Sequence, residues 1–240
     1  MYGGGFIYGM KENRVSLGLV LGLEYHYPLF DPHEAFQQFK THPFLRKMLE
    51  GGKLVRYGAK SLPEGGWYSI PRTFVDGGLI IGDSASFLNS QKLKGINLAI
   101  KSGMLAAETI LEALKSGDTS AKTLSAFQKK VEASWIKPDL WAVRNFHQGF
   151  HNGVWMGMIH AAFQQISGGR GLVDPMRSPA GHEAYYKLDG ALPRGERFKG
   201  DGKLTFDRLT DVYHSGTRHE EDQPCHLNVL EPDICISRCT

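Results

Sequence analysis

The stretch Gly78 to Glu108, GLIIGDSASFLNSQKLKGINLAIKSGMLAAE, decides how the chain is read. Its apolar start, Leu79-Ile80-Ile81, predicts a buried strand, and that strand ends in Gly82-Asp83. A loop follows, and Lys94-Gly95-Ile96-Asn97 opens a helix. Within the helix Ile100, Met104, Ala107, Leu111 and Leu114 recur at helical spacing and predict the buried stripe, with Gly117 as the stop. Gly103 inside it costs roughly 1 kcal/mol relative to alanine, which predicts close packing against a strand or a ligand.

A strand that ends in Gly-Asp sets a carboxylate at the mouth of a sheet, where Asp83 can accept hydrogen bonds from ribityl or ribose hydroxyls. On its own Gly82-Asp83 reads more readily as an ordinary strand-ending turn. Twelve residues on, Gly95-Ile96-Asn97 starts a helix whose free amides and positive dipole end face whatever lies before them. Gly95 carries no side chain to keep a flat ring or an anion off that backbone. The spacing lets one ligand touch both elements, and together Gly82, Asp83, Gly95, Ile96 and Asn97 read as half of a flavin site. No Gly-x-Gly-x-x-Gly follows an early strand, so the half that holds the pyrophosphate is expected outside this sequence.

Working outward, residues 5–10 and 15–27 predict two strands joined by the polar turn Lys11-Glu12-Asn13-Arg14. Asp31 suits a helix N-cap, Pro32 the first helical position and Glu34 the capping box; Phe36 and Phe39 mark an apolar face, and His42-Pro43 is the stop. Further strand is expected at 53–59 and 67–75. One helix carries Leu124, Phe127, Val131 and Trp135 and ends before Pro138; another runs over 139–150. Residues 153–166, GVWMGMIHAAFQQI, admit two readings: a buried helix, or a helix lying on a bilayer surface with Trp155, Met156, Ile159 and Phe163 in lipid. His147 and His151, four apart, are a metal pair or a packed pair, and the lack of an obvious third ligand favours packing. Residues 167–192 suggest a boundary, and Asp201-Gly202 within 199–206 suggests a hairpin.

At 240 residues and 41% hydrophobic content the chain can bury a substantial core. A net charge of +3 without a basic stripe speaks against a nucleic-acid partner. The three cysteines, Cys225, Cys235 and Cys239, cluster near the end in no secreted disulfide pattern and are read as ordinary thiols rather than metal ligands. No secretory leader is visible, and no run approaches the roughly 18 apolar residues of a spanning helix.

Several stretches resemble, in order, the electron-transfer-flavoprotein:ubiquinone oxidoreductase family. They are Tyr2-Gly3-Gly4-Gly5-Phe6-Ile7-Tyr8, Leu19 to Tyr25, Asp31 to His42, Leu49 to Gly52, Tyr57-Gly58-Ala59 and Glu64 to Pro71. Lys101 to Glu108, Ser215-Gly216-Thr217, His219-Glu220, Asp222-Gln223-Pro224 and His226-Leu227 continue the likeness. The segment Gly95 to Ala99 departs from the family wording and is closer to FAD hydroxylases and geranylgeranyl reductases.

What the resemblance implies is a mixed α+β and α/β chain. It would hold part of a glutathione-reductase-like FAD-binding fold, an antiparallel-sheet quinone-binding domain and the start of a ferredoxin-like segment. The implied division is 1–75 quinone-binding, 76–150 FAD-binding with helices, 151–190 membrane-surface helix and linker, and 191–240 the start of the iron–sulfur domain. By resemblance, electrons pass from reduced electron transfer flavoprotein through FAD and a 4Fe-4S cluster to ubiquinone. The quinone lies at Tyr2, Gly3 and Gly4, and the cluster's cysteines are expected beyond the last residue. The protein would sit as a monotopic protein on the inner membrane, facing the cytoplasm of a bacterium or the matrix of a mitochondrion. Electron transfer as such calls for no general base or nucleophile. Two alternatives stay open: an FAD-dependent monooxygenase or geranylgeranyl-reductase-like enzyme, and a non-enzymatic membrane-binding remnant.

Overall fold

Glu12 and Asn13 take left-handed backbone (φ 61° and 53°) and reverse the chain between β1 (Gly3–Met10) and β2 (Arg14–Leu21). The two strands pair antiparallel with Gly3 opposite Leu21 and Phe6 opposite Gly18. A Cβ on Gly18 would fall 2.1 Å from the Phe6 ring, so the aromatic lies flat across bare backbone there. The computed structural model describes residues 3–177, 180–187, 198–224, 230–231 and 233. Its architecture is α+β: helices dominate, with this hairpin and a second, very short antiparallel pair, β3 (Phe74–Val75) and β4 (Gly78–Leu79). The chain divides into two compact units, residues 1–36 with 60–197 and residues 37–59 with 198–240.

The division falls within α1 (Pro32–Lys40), whose start is held as expected: Asp31 Oδ1 accepts from the His33 and Glu34 amides at 3.0 and 3.2 Å. In the larger unit the core is built on α3 (Ile96–Ser116), which packs against the 3₁₀ turn Gly82–Ala85 and against α5 (Ala126–Ala133). Leu98, Leu105, Ala106, Phe127, Ile136 and Leu140 are buried together with Phe87. Fully burying a side chain of this size contributes roughly 1.5–3 kcal/mol. Between α3 and α5 lies α4 (Ala121–Leu124); after α5 come α6 (Ile136–Trp141), a 3₁₀ turn His147–Phe150 and α7 (Val154–Ser167).

The smaller unit contains α2 (Pro43–Leu49) and α8 (Arg208–Ser215). Gln37, 1% exposed, ties its parts together: its Nε2 donates to Asp211 Oδ2 at 2.7 Å and its Oε1 accepts from the Phe206 amide at 3.0 Å. Lys40 lays its ammonium 5.0 Å over the Phe206 ring, and burial pushes its pKa down against the opposing pull of Asp211 and Asp201.

Several expectations are corrected. The strand at Gly78 is two residues long, and Ile80 and Ile81 are exposed, because among the described residues the only strand beside it is the two-residue β3. The stripe Ile100, Met104, Ala107, Leu111, Leu114 faces outward; the buried face is Leu98, Ser102, Leu105, Thr109 and Ala113. Both faces keep helical spacing, and the smaller side chains win the inside because they let the 82–85 turn and α5 approach closely. A Cβ on Gly103 would meet nothing within 4 Å, so that glycine serves no close packing here. β2 stops at Leu21 rather than 27, residues 53–59 form no strand, and 67–69 are a 3₁₀ turn. Pro138 lies inside α6 in its first turn, where its missing N–H is not needed, and in place of one helix over 139–150 the chain forms the end of α6 and the 3₁₀ turn His147–Phe150. The 199–206 segment is a loop rather than a hairpin, wound around Asp201 Oδ1, which accepts from the Lys203, Leu204 and Thr205 amides at 2.8–2.9 Å.

Candidate functional site

The structure brings the five residues read from the opening stretch to one place. Gly82 takes φ 62° and donates its amide to the buried Ser102 Oγ on α3 at 3.0 Å. A Cβ added to Gly82 would lie 3.4 Å from the Ala99 Cβ, so the 82–85 turn sits directly on the first turns of α3. Asp83 is half-buried in that turn. Gly95 is the N-cap of α3 and makes no side-chain cap, and Ile96 and Asn97, the first residues of the helix, are exposed.

The loop between turn and helix is fixed from inside. Asn89, fully buried, donates to the Asp139 carbonyl and carboxylate at 3.1 Å, accepts from the Lys92 amide at 3.0 Å and pairs through its backbone with Lys94. Lys92 also makes an ion pair with Asp139. The loop therefore presents Gly95 without depending on a ligand.

These features fit a flavin. A 21-residue helix offers first-turn amides with no side-chain cap, and the half-buried Asp83 lies in the 3₁₀ turn that packs against that helix. The buried hydroxyls of Ser86 and Ser90 in the same loop have no hydrogen-bond partner among the described residues.

Gly3 and Gly4 begin β1, and Tyr2 lies outside the described residues. A Cβ on Gly3 would come within 2.3 Å of the Val20 carbonyl, so only glycine allows the strands to pair this closely. Over Gly4 the space is open: a Cβ there would meet nothing within 4 Å, and both residues are exposed. A flat ring can reach that backbone.

On α7 the four singled-out side chains point outward: Trp155 is 79% exposed, and Met156, Ile159 and Phe163 are exposed with it. Ile166, Leu172 and Val173, at and after the end of the helix, are exposed as well. Gly157 and Gln164 are buried on the other side; a Cβ on Gly157 would strike the Phe150 ring at 2.2 Å, so α7 seats on the 3₁₀ turn through bare backbone. Its far end is clamped by Arg144. Nε and Nη2 of that guanidinium bind the Asp174 carboxylate at 2.7–3.2 Å, and Nη1 donates to the Trp141 and Gly168 carbonyls at 2.8 and 2.7 Å. Asn145 and Tyr68 also donate to Asp174. Among the described residues no helix is long and apolar enough to cross a membrane.

One cluster escapes the sequence. His147 Nε2 lies 2.8 Å from Glu24 Oε1, and the His147 and His151 rings meet edge-on at 5.9 Å. Gln148, between those histidines, donates to the Gly65 carbonyl at 3.0 Å and so draws the loop carrying Glu64 to the same place. Burial raises the Glu64 pKa and lowers that of His151. No short motif announces a pair separated by 123 residues. Among the described residues no group of three or more His, Cys, Asp or Glu is placed to hold a metal ion, and Cys225, Cys235 and Cys239 lie outside them.

Comparison with known proteins adds the following. Residues 1–62 match the family model described as ETF-QO, ubiquinone-binding. Residues 202–240 match the one described as electron transfer flavoprotein-ubiquinone oxidoreductase, 4Fe-4S. The chain is 41% identical over 234 residues to the mitochondrial electron transfer flavoprotein-ubiquinone oxidoreductase of Arabidopsis thaliana, covering 97% of this chain and 36% of that protein. It is 39% identical to the Pseudomonas aeruginosa protein of that name, covering 98% of this chain and 43% of the relative. To the human mitochondrial protein it is 40% identical, with 99% of this chain and 40% of the relative covered.

Proposed function

Since the chain belongs to the electron transfer flavoprotein-ubiquinone oxidoreductase family and spans about two-fifths of the length of the curated relatives it matches, we propose that the whole protein carries electrons from reduced electron transfer flavoprotein to ubiquinone. FAD and a 4Fe-4S cluster are the proposed centres. The observation that carries the reading is the arrangement along one chain: ubiquinone-binding and 4Fe-4S family matches stand on either side of the Asp83–Gly95 site. The same two matches favour this activity over the monooxygenase and the geranylgeranyl-reductase alternatives. In this reading 1–75 belong to the quinone-binding domain and 76–150 to the FAD-binding domain. Residues 151–190 carry the membrane-surface helix, and 191–240 begin the iron–sulfur domain.

FAD supplies the two-electron chemistry when bound. Asp83 would accept from its ribityl hydroxyls, and the amides of Ile96 and Asn97 beside Gly95 would stabilise negative charge at the ring. The exposed α3 stripe from Ile96 to Leu114 would be covered by the rest of a glutathione-reductase-like FAD domain, since a helix apolar on both faces is packed on both. Gly3 and Gly4 would offer backbone to the quinone ring. α7 would rest Trp155, Met156, Ile159 and Phe163 in the bilayer from which the quinone comes, placing the protein on the inner membrane.

The test is Asp83→Ala in the intact flavoprotein. A hydrogen bond to a charged group is worth roughly 1.5–3 kcal/mol, so the FAD Kd should rise by about tenfold to a hundredfold. Isothermal titration of the apoprotein with FAD measures it, and an unchanged Kd refutes the assignment of Asp83.

A further inference from the structure

Moving electrons needs no acid, but making a quinol does. Quinone plus two electrons gives a dianion, and each oxygen must form an O–H bond before the product can leave into lipid. An electron-transfer protein whose acceptor is a quinone therefore needs groups that deliver protons to a ring shielded from water.

The larger unit holds such groups in one place. Glu24 lies three residues beyond Leu21, the register partner of Gly3, so at most ~10 Å of chain separates it from that pair. Its carboxylate touches His147, and both side chains are largely buried, 25% and 14% exposed. His151 meets the His147 ring and is itself exposed to solvent. Glu64 comes from a third segment, held there by the Gln148–Gly65 bond. A half-buried carboxyl, two imidazoles and a second carboxyl thus gather in one cluster, with His151 open to solvent and Glu24 within three residues of the strand end that pairs with Gly3.

The groups around it are committed elsewhere. Tyr25 packs on Phe30 and Tyr185, and His26 stacks on Tyr186 with Nδ1 at 2.8 Å from the Ala184 carbonyl. From α7, His160 lies over Gly149 with Nδ1 2.6 Å from Gln164 Nε2. On the other side of the turn the Arg144 guanidinium is occupied by Asp174. The acidic charge of Glu24 pulls the His151 pKa up while burial and His147 push it down, and burial raises Glu64. The acid and the imidazole are moved toward each other, which suits proton exchange near neutral pH.

We propose that Glu24, His147, His151 and Glu64 form a proton relay that supplies the two protons consumed when ubiquinone is reduced at Gly3–Gly4. The inference rests on the functional reading above, in which the quinone binds there. The flavin held at the site proposed above would supply both electrons. The two C=O π bonds of the quinone become C–O single bonds, and each oxygen takes one proton from the Glu24–His147 pair. The pair is recharged from water through His151, with Glu64 holding a proton in reserve.

The experiment uses the full FAD-loaded protein with reduced electron transfer flavoprotein as donor and two acceptors. A short-chain ubiquinone analogue takes two electrons and two protons; ferricyanide takes one electron and no proton. In Glu24→Gln and in His147→Gln, kcat with the quinone should fall about tenfold to a thousandfold, in line with the loss of a positioned proton donor, while KM stays within about twofold. The solvent deuterium isotope effect on kcat should rise and the pH profile should shift. The ferricyanide rate should hold, and Glu24→Asp should restore part of the quinone rate. An equal fall with both acceptors, or an unchanged quinone kcat and pH profile, overturns the relay. Gly4→Val separates the two readings, since open space faces Gly4 and the variant can fold. If it leaves the quinone KM unchanged, the quinone site is wrong and the relay falls with it. If it raises KM while Glu24→Gln changes nothing, the relay alone is wrong.

Discussion

Replacing Asp174 by asparagine removes the negative charge and one of the two acceptor oxygens at the centre of the clamp that seats α7. The carboxylate binds Arg144 through Nε and Nη2, Asn145 Nδ2 at 3.0 Å and the Tyr68 hydroxyl at 2.9 Å. The Arg144 side chain is 6% exposed and cannot turn to water for a substitute. Hydrogen bonding from Arg144, aided by Asn145 and Tyr68 and opposed by burial, brings the Asp174 carboxyl from 3.8 down to about 2. Each pKa unit is about 1.36 kcal/mol, so ionisation of this group adds on the order of 2 kcal/mol to stability before solvent screening is allowed for. Removing one member of a buried ion pair costs about 3–5 kcal/mol when the other is stranded. Here the Trp141 and Gly168 carbonyls still accept from Arg144, and the carboxylate is 16% exposed, so the cost should fall at about 2–4 kcal/mol near neutral pH. The folded-state value lies below the unfolded one, so this stability is complete above the ordinary aspartate pKa and drains away as pH drops from ~4 toward ~2. Urea unfolding of both proteins across that range measures the gap. A difference under about 1 kcal/mol at neutral pH, or one that stays constant down to the lowest pH, refutes the reasoning.

Trp155→Ser combined with Ile159→Ser should lower partitioning onto phosphatidylcholine–cardiolipin vesicles by tenfold or more, since burying each side chain is worth roughly 1.5–3 kcal/mol. Unchanged co-sedimentation would remove α7 from the membrane contact. In the smaller unit, Gln37→Leu deletes two hydrogen bonds, one of them to the 1%-exposed Asp211, and should destabilise by about 2–4 kcal/mol. A urea midpoint equal to that of the wild type would show that Gln37 does not hold that unit together.

Local chemistry is readable where one residue settles the backbone. Asp31 caps α1, Gly117 takes left-handed φ 67° and ends α3, and Gly95 is the N-cap of α3, one residue from the predicted start. Reading fails where the outcome depends on neighbours distant in sequence. Period alone cannot choose between the two apolar faces of α3, because the choice is made by Phe127 and the 82–85 turn. Ile80 and Ile81 carry a strand's composition without a sheet to complete it. Pro138 reads as a stop only while its place within α6 is unknown; in a first turn it breaks nothing. The Glu24–His147 contact joins residues that no periodicity connects.

Both α3 and α7 leave apolar faces exposed, and composition separates what should cover them. The outward side of α3 interleaves Ile100, Met104, Leu111 and Leu114 with Lys101, Glu108, Glu112 and Lys115. Charges this close to an aliphatic stripe are costly at the level of acyl chains but ordinary at the rim of a protein layer. Across Val154–Ser167, α7 has no Asp, Glu, Lys or Arg at all, and it carries Trp155 near its start. A helix of 14 residues is about 21 Å long, too short to span a hydrocarbon core of roughly 30 Å, so its charge-free composition fits the proposed interfacial placement rather than a crossing. The clamp at Arg144 then acquires a purpose beyond stability. It fixes α7 against the same turn that carries His147 and His151, so in the proposed membrane-bound state the depth of the helix would also set how far those histidines stand from the bilayer.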